Sequence, residues 1–82
     1  MIKVLFFAKL SEQLGLRELQ VAASAAENTD QLLDYLKQYD PKWEQVLSAQ
    51  PCLKAVNQNM VNHNVPLNSG DEVAFFPPVT GG

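Results

Sequence analysis

The fold of this chain is decided by its C-terminal stretch, Asp71-Glu72-Val73-Ala74-Phe75-Phe76-Pro77-Pro78-Val79-Thr80-Gly81-Gly82. Residues 72–76 are rich in β-forming side chains and follow a turn signal at residues 68–71, and together these features predict a strand. Pro77 and Pro78 end that strand because proline has no backbone N–H to donate to a neighbouring strand. The sequence therefore predicts a strand that passes directly into an extended tail.

The tail, residues 77–82, has the features of an arm that reaches another protein. Pro77-Pro78 favours polyproline geometry, and a stretch of this length extends on the order of 20 Å. Gly81 and Gly82 lack side chains, so the chain end fits a narrow channel and the Gly82 carboxylate is unhindered. A carboxylate must be activated before acyl transfer, and the sequence has no phosphate-binding loop for ATP. We therefore expect a partner enzyme to activate Gly82, with a frayed, functionless end as the alternative.

Length and composition limit the classes of function. The 82 residues allow one domain with a thin core, which favours a binding module or a carrier over a self-sufficient enzyme. The net charge of −3, without a basic stripe, disfavours nucleic-acid binding. A single cysteine, Cys52, excludes an internal disulfide and favours a cytoplasmic location. The apolar run Ile2–Ala8 is too short for a signal peptide or a membrane span, so we expect neither.

His63 and Cys52 are the remaining candidates for chemistry. His63 is the only histidine, so the sequence offers no histidine pair for a metal site or a catalytic relay. Its asparagine neighbours indicate a solvated loop. Cys52 precedes a predicted strand and is interpreted as a small, mostly buried apolar residue, with a sulfur-relaying thiol as the alternative. We predict no metal ion and no cofactor bound to this chain itself.

Four further strands are predicted upstream of residues 72–76: Ile2–Ala8, Glu18–Val21, Leu53–Val56 and Met60–Val61. The first and last strands are the most apolar, so we expect them side by side in the centre of the sheet. The strand Glu18–Val21 alternates polar and apolar residues, which is typical of an edge strand antiparallel to the first. A strand that leaves the sheet centre at the C-terminus presents the tail as a free arm.

Three helical segments are predicted between these strands. A short helix at Lys9–Leu14 ends at Gly15, which can adopt the left-handed cap. Asn28 is expected to cap the main helix, with Gln31 as a capping-box variant, and Pro41 ends that helix and can start the next. The apolar residues at helical spacing are Leu32, Tyr35, Leu36 and Tyr39, then Trp43, Val46 and Leu47. This order of elements indicates an α+β roll.

Alternation along the strands predicts an exposed apolar surface. Ile2, Val4 and Phe6 point to one face of the sheet, and the residues between them point to the other. Because one main helix covers only one face, some apolar side chains should lie on the open face: Leu5, Phe7, Met60 and Phe76. A contiguous exposed apolar patch usually marks an interface. Cover by the shorter helices is the alternative.

Both ends of the chain closely resemble the small, sulfur-carrying subunit of molybdopterin synthase. The resemblance rests on residues 71–82, on Ile2-Lys3-Val4-Leu5-Phe6-Phe7-Ala8 as a first strand, and on Ala55-Val56-Asn57 in a central strand. It implies the ubiquitin-like β-grasp fold, a mixed sheet with one main helix packed on one face. Residues 1–76 would then form the domain, and residues 77–82 a flexible functional tail.

The resemblance also implies a role for each part of the chain. An E1-like adenylyltransferase would activate Gly82 with ATP and Mg²⁺, and a sulfur-donor protein would convert the adenylate into a thiocarboxylate. The tail, Pro77-Pro78-Val79-Thr80-Gly81-Gly82, would enter the large subunit of a heterotetrameric synthase. There its sulfur would pass to cyclic pyranopterin monophosphate and form the molybdopterin dithiolene, with the acid–base groups on the large subunit. The positions that match the family's apolar docking surface are Phe7, Met60 and Phe76.

Three alternatives stay open. A sulfur carrier of the thiamine type shares the fold and the terminal di-glycine, although such carriers tend to be shorter and lack the approach Phe75-Phe76-Pro77-Pro78-Val79-Thr80. A ubiquitin-like modifier would join its C-terminus to lysines. A plain β-grasp interaction domain would have no tail chemistry.

Overall fold

The computed structural model of the chain describes residues 1–49 and 51–78. In chain order the elements are β1 (Ile2–Phe6), α1 (Lys9–Leu14), β2 (Glu18–Val21), a 3₁₀ turn (Ala23–Ala25), α2 (Thr29–Tyr39), α3 (Pro41–Ala49), β3 (Leu53–Val56), β4 (Asn59–Val61) and β5 (Glu72–Phe76). The predicted order of strands and helices is confirmed. The predicted end of the first strand is wrong by two residues, because the backbone of Ala8 takes a positive φ of 55° and turns the chain into α1.

The sheet is mixed, with the strand order β2-β1-β5-β3-β4. β1 and β5 run parallel, with Val4 opposite Val73, and the other neighbouring pairs are antiparallel. The expectation that the first and last strands lie side by side is confirmed, and β2 is the predicted edge strand. Because β5 lies in the middle of the sheet, its C-terminal end brings the chain to the sheet centre at Phe76.

The helix ends follow the predicted capping chemistry. The backbone N–H of Gln31 donates to Asn28 Oδ1 (2.8 Å), and the Gln31 side chain in turn accepts from the backbone N–H of Glu27 (2.9 Å). These two bonds satisfy donors at the start of α2 that have no partner within the helix. α1 ends at Gly15, whose φ of 75° and ψ of 20° lie in the left-handed region. The N-cap and the C-cap predicted from the sequence are therefore both confirmed.

The helices cover one face of the sheet and enclose the core there. Ile2, Val4 and Phe6 face this layer, and the Phe6 ring meets the edge of Trp43 at 5.4 Å between ring centroids. The indole N–H of Trp43 donates to the Leu14 carbonyl (3.1 Å), so it joins α3 to the end of α1. None of the helices in residues 1–49 and 51–78 is long and apolar enough to cross a membrane. The opposite face of the sheet is the open face.

Candidate docking site

The open face carries a group of large apolar side chains. Phe7 is 42% exposed and Met60 is 60% exposed, although both are hydrophobic. The rings of Phe7 and Phe76 stack with centroids 4.9 Å apart and planes inclined by 8°. Leu5 and Phe76 are half-buried beside them. The prediction that Leu5, Phe7, Met60 and Phe76 lie on the open face is confirmed.

Strand register brings these side chains together. Leu5 lies opposite Ala74, Ala74 lies opposite Ala55, and Ala55 lies opposite Met60. This row therefore crosses four strands on a single face of the sheet, because directly opposed residues point to the same side. The two alanines are small, so they form a floor between larger walls. The resulting concavity measures about 450 Å³.

We call this surface the open-face patch and define it by six apolar residues of the concavity: Leu5, Phe7, Ala55, Met60, Ala74 and Phe76. Gln58 and Glu72 complete its lining and supply the polar part of the rim. Farther along the same face, Lys3 Nζ lies 3.9 Å from a Glu18 carboxylate oxygen. Glu18 lies opposite Leu5, and Lys3 lies opposite Glu72, so charged side chains border the patch along β2 and at the start of β5.

One exposed apolar residue of this face was missed by the sequence analysis. Leu53 is 40% exposed and lies opposite Phe76 in the β3–β5 pair, so it extends the apolar surface beside Phe76. Leu53 and Lys54 are consecutive residues of a predicted strand, so their side chains should point to opposite faces of the sheet, with Leu53 on the open face. It was overlooked because the facing of a short strand depends on a register that the sequence does not state.

The C-terminal arm begins beside the open-face patch. Phe76 is both the last residue of β5 and a wall of the patch, and the half-buried Pro77 and Pro78 follow it outside the strand. The prediction that these prolines end the strand is confirmed. The predicted tail residues Val79, Thr80, Gly81 and Gly82 lie outside the described residues. The chain therefore leaves β5 at the edge of the open-face patch.

The two remaining candidates for chemistry have ordinary environments. Cys52 is half-buried and packs against the core. Burial raises the pKa of the Cys52 thiol, and the nearby Lys37 ammonium opposes that rise, so the thiol is poorly suited to act as a nucleophile. His63 is exposed, and its Nδ1 lies 3.3 Å from Asn62 Oδ1. In residues 1–49 and 51–78, no group of three His, Cys, Asp or Glu side chains could hold a metal ion.

The sheet order and the single helix layer define the class of the protein as a ubiquitin-like β-grasp domain. The chain belongs to the ThiS family, whose model matches residues 4–82. It is 45% identical over 82 residues to the molybdopterin synthase sulfur carrier subunit of Escherichia coli (strain K12), with all of both chains covered. It is 38% identical over 82 residues to the subunit of the same name from Haemophilus influenzae, again with both chains fully covered. The resemblance inferred from the two ends of the sequence is thus confirmed.

Solved structures show the same fold. The structure of SAMP1 from Haloferax volcanii, a small archaeal modifier protein, matches with a TM-score of 0.79 and 26% identity, covering 99% of this chain and 98% of that one. A chain in the complex of subunits 1 and 2 of the molybdopterin-converting factor of Helicobacter pylori matches with a TM-score of 0.67 and 25% identity, covering 99% and 97%. The fold is therefore shared by a chain of a molybdopterin-converting factor and by a small archaeal modifier protein.

Proposed function

We propose that this chain is the sulfur-carrier subunit of a molybdopterin synthase. The observation that carries the proposal is its similarity, over the full length of both chains, to proteins named as that subunit. The position of the open-face patch supports it, because Phe76 belongs to the patch and begins the approach to the C-terminus. A partner that binds the patch would therefore hold the tail next to its own surface. We infer a domain at residues 1–76 and a functional tail at residues 77–82.

The first step of the proposed cycle loads the tail. A carboxylate oxygen of Gly82 attacks the α-phosphorus of Mg²⁺-bound ATP on an E1-like adenylyltransferase, and pyrophosphate leaves. Sulfide from a sulfur-donor protein then attacks the acyl carbon, and AMP leaves with the electron pair of the broken C–O bond. The product is a C-terminal thiocarboxylate. Activation by a partner is needed because a free carboxylate has a poor leaving group.

The second step delivers the sulfur. The anionic thiocarboxylate sulfur attacks a carbon of cyclic pyranopterin monophosphate within a pocket of the large subunit and displaces an oxygen substituent of that carbon, which joins the chain to the pterin as a thioester. Water then cleaves the acyl C–S bond, so the sulfur stays on the pterin and the Gly82 carboxylate is regenerated. A second loaded chain repeats the step at the neighbouring carbon and completes the dithiolene.

The synthase would be a heterotetramer of two large and two small subunits. The acid–base groups that move protons would belong to the large subunit. The subunit 1 and 2 complex from Helicobacter pylori supports such a pairing for this chain. We place the whole cycle in the cytoplasm.

The loading step is tested by intact-mass measurement. The chain is incubated with the E1-like enzyme, Mg²⁺-ATP and a sulfur donor, and the expected product has one oxygen replaced by sulfur. A matched reaction uses a chain that lacks Gly82, for which we expect no product of that mass. If the complete chain gains no sulfur while a curated relative gains it in the same mixture, the proposal is wrong.

A second candidate function is favoured by a specific similarity. SAMP1 shares the fold with a TM-score of 0.79, so attachment of the C-terminus to lysines is a real alternative. A thiamine-type sulfur carrier is a third. The sulfur-loaded or adenylated chain is incubated in separate reactions with three acceptors. These are a lysine-rich protein mixture, a thiamine-thiazole synthase, and the large subunit of molybdopterin synthase with its pterin substrate. Sulfur in the pterin product supports our proposal, whereas covalent protein adducts or thiazole formation alone would favour the alternatives.

A further inference from the structure

The concavity of the open-face patch has an acidic end. Along β5, Glu72, Ala74 and Phe76 alternate with core residues, so their side chains point to the same face of the sheet. Among the described residues that line the concavity, Glu72 is the one that carries a charge, and it is half-buried there. The concavity therefore combines an apolar floor and apolar walls with one carboxylate.

The carboxylate of Glu72 is not neutralised by a neighbour. In the described part of the chain, no side-chain or terminal cation lies within 4.0 Å of it. Lys3 lies opposite Glu72 in the β1–β5 pair, but the Lys3 ammonium lies 3.9 Å from a carboxylate oxygen of Glu18. Asp71, which precedes Glu72, accepts N–H bonds at both of its carboxylate oxygens. The two other acidic residues around this end of β5 thus have partners, whereas Glu72 offers its charge to an incoming group.

The backbone holds Glu72 in place at the edge of the concavity. Its N–H donates to Asn57 Oδ1 (3.0 Å), and its carbonyl accepts from the backbone N–H of Asn57 (2.8 Å). These bonds tie the start of β5 to the turn between β3 and β4. Because they use only the main chain of Glu72, a change confined to its carboxylate leaves them intact.

A partner that covers the concavity has to compensate this charge. Docking removes water from the carboxylate, and an unpaired carboxylate in an apolar interface is costly. Lysine and arginine have an apolar stem and a cationic head, so one such side chain matches both parts of the concavity. The volume of about 450 Å³ accommodates it, with Ala55 and Ala74 as the floor and Leu5 and Met60 on either side.

We propose that the concavity binds one basic side chain of the large subunit, whose stem lies on the alanine floor and whose cationic head pairs with Glu72. The inference rests on the proposed function and names the chemistry by which the partner is recognised. The apolar residues of the patch supply most of the contact area, and Glu72 supplies selectivity. A partner with an apolar or acidic residue at this place would leave the carboxylate unpaired or repel it.

The test removes the charge and keeps the shape. Calorimetric titration with the purified large subunit should show that Glu72→Gln binds about tenfold more weakly than the natural chain and with a weaker dependence on salt. Its melting temperature should change by less than about 3 °C, because the backbone bonds of residue 72 remain. Glu44→Gln is the matched control, since it removes the same charge from an exposed position on α3, on the helix side. Its affinity should change by less than about twofold.

A double-mutant cycle identifies the basic residue of the partner. The lysines and arginines on the surface of the large subunit are changed to glutamine one at a time, and each variant is titrated with the natural chain and with Glu72→Gln. One substitution should weaken binding of the natural chain about tenfold and have little effect on binding of Glu72→Gln. If every substitution has the same effect on both chains, the proposal is overturned.

Three further results would also overturn it. The first is a Glu72→Gln chain that binds the large subunit as tightly as the natural chain, and the second is an equal loss of affinity in Glu44→Gln. The third is a loss of self-association of the free chain in Glu72→Gln, measured by sedimentation, with binding of the large subunit unchanged, because the occupant is then a second copy of this chain. In all three cases the natural chain still binds the large subunit, so the proposed function stands. If the natural chain does not bind it, the proposed function fails and this inference fails with it.

Discussion

At the scale of single residues, each of the pairs Phe6-Phe7 and Phe75-Phe76 places one ring in the core and the other on the open face. Phe6 and Phe75 point into the helix layer and are 3% and 1% exposed. Phe7 and Phe76, the next residues along the chain, point to the open face and stack on each other there. Alternation along a strand explains the division. A substitution of Phe6 or Phe75 therefore tests stability, whereas a substitution of Phe7 or Phe76 tests binding.

The first prediction separates these two roles. Phe7→Ala removes a ring from the open-face patch and should weaken binding to the large subunit by about 2 kcal/mol or more. The loss of stability should be about 1 kcal/mol, because the ring is 42% exposed. Calorimetric titration and urea unfolding measure the two quantities.

The control for this prediction is Tyr39→Ala. Tyr39 is an aromatic residue of comparable exposure, 51%, and it stacks on Trp43 on the helix side. We expect Tyr39→Ala to lower the free energy of unfolding and to leave the affinity for the large subunit unchanged. Equal loss of binding from both substitutions would contradict the assignment of the docking surface to the open face.

A second prediction concerns Thr29, a polar residue that is only 1% exposed. Its hydroxyl accepts from the N–H of Val65 (3.0 Å) and donates to Asn64 Oδ1 (3.1 Å), which joins α2 to the loop after β4. Thr29→Val leaves both partners without this bond, so unfolding free energy should fall by about 1–3 kcal/mol. Thr29→Ser retains the hydroxyl and should cost less. If urea unfolding shows equal losses for Thr29→Val and Thr29→Ser, then Thr29 stabilises the fold by packing and not by its hydrogen bonds.

A third prediction concerns the pH dependence of Cys52. Because burial raises its pKa, the native thiol should react with iodoacetamide more slowly than the unfolded chain at the same pH, with its half-maximal rate at a higher pH. The Lys37 ammonium favours the thiolate, so Lys37→Gln should move that midpoint higher still. A midpoint that stays in place or falls in Lys37→Gln would contradict the assigned electrostatic role.

At the scale of elements, the parts that local chemistry specifies were predictable. Gly15 ends α1 because it can adopt positive φ, and Asn28 starts α2 because its side chain accepts a backbone N–H. The pairing of β1 with β5 followed from their apolar character. Tertiary geometry was not predictable. The turn at Ala8, which shortens β1, depends on the hydrogen bond from the Ser11 hydroxyl to the Ala8 carbonyl and on the bond from the Phe7 N–H to the β5 backbone. No local residue pattern predicts this turn.

The candidate site shows the same limit. The sequence predicted the open-face positions of Phe7, Met60 and Phe76, since alternation and the helix count determine them. It did not reveal Leu53 on that face, because the register of β3 against β5 sets which side of the sheet a short strand presents. The ring stack of Phe7 on Phe76 required the parallel pairing of β1 with β5 and its register to be known.

The N-cap of α2 gives a fourth prediction. Asn28→Ala removes the acceptor for the N–H of Gln31 and should lower the free energy of unfolding by about 1 kcal/mol. Asn28→Ser keeps a capping oxygen and should restore most of that loss. Thermal unfolding of the three chains checks the order. An alanine variant as stable as the natural chain would mean that the contacts of residues 27–29 with the loop at 64–67, rather than the cap, hold the helix start.

At the scale of the whole molecule, the fold places an apolar docking surface and the start of the tail together. β5 lies in the sheet centre, its side chains build both the core and the patch, and its end leads to Pro77. Under the proposed function, this small domain contributes a docking surface and a chain end, and its partners carry out the chemistry. The comparisons support this division, since the relatives that match the full chain are named as carrier subunits.

We propose that Gly82 carries sulfur to the pterin. The most direct measurement loads the chain with heavy-isotope sulfur, removes the loading enzyme, and adds the large subunit with cyclic pyranopterin monophosphate. We predict that the label leaves Gly82 and appears in the dithiolene, with two loaded chains consumed for each molybdopterin formed. If the label stays on the chain, or leaves without entering the pterin in the presence of an active large subunit, then Gly82 is not the sulfur donor for the dithiolene.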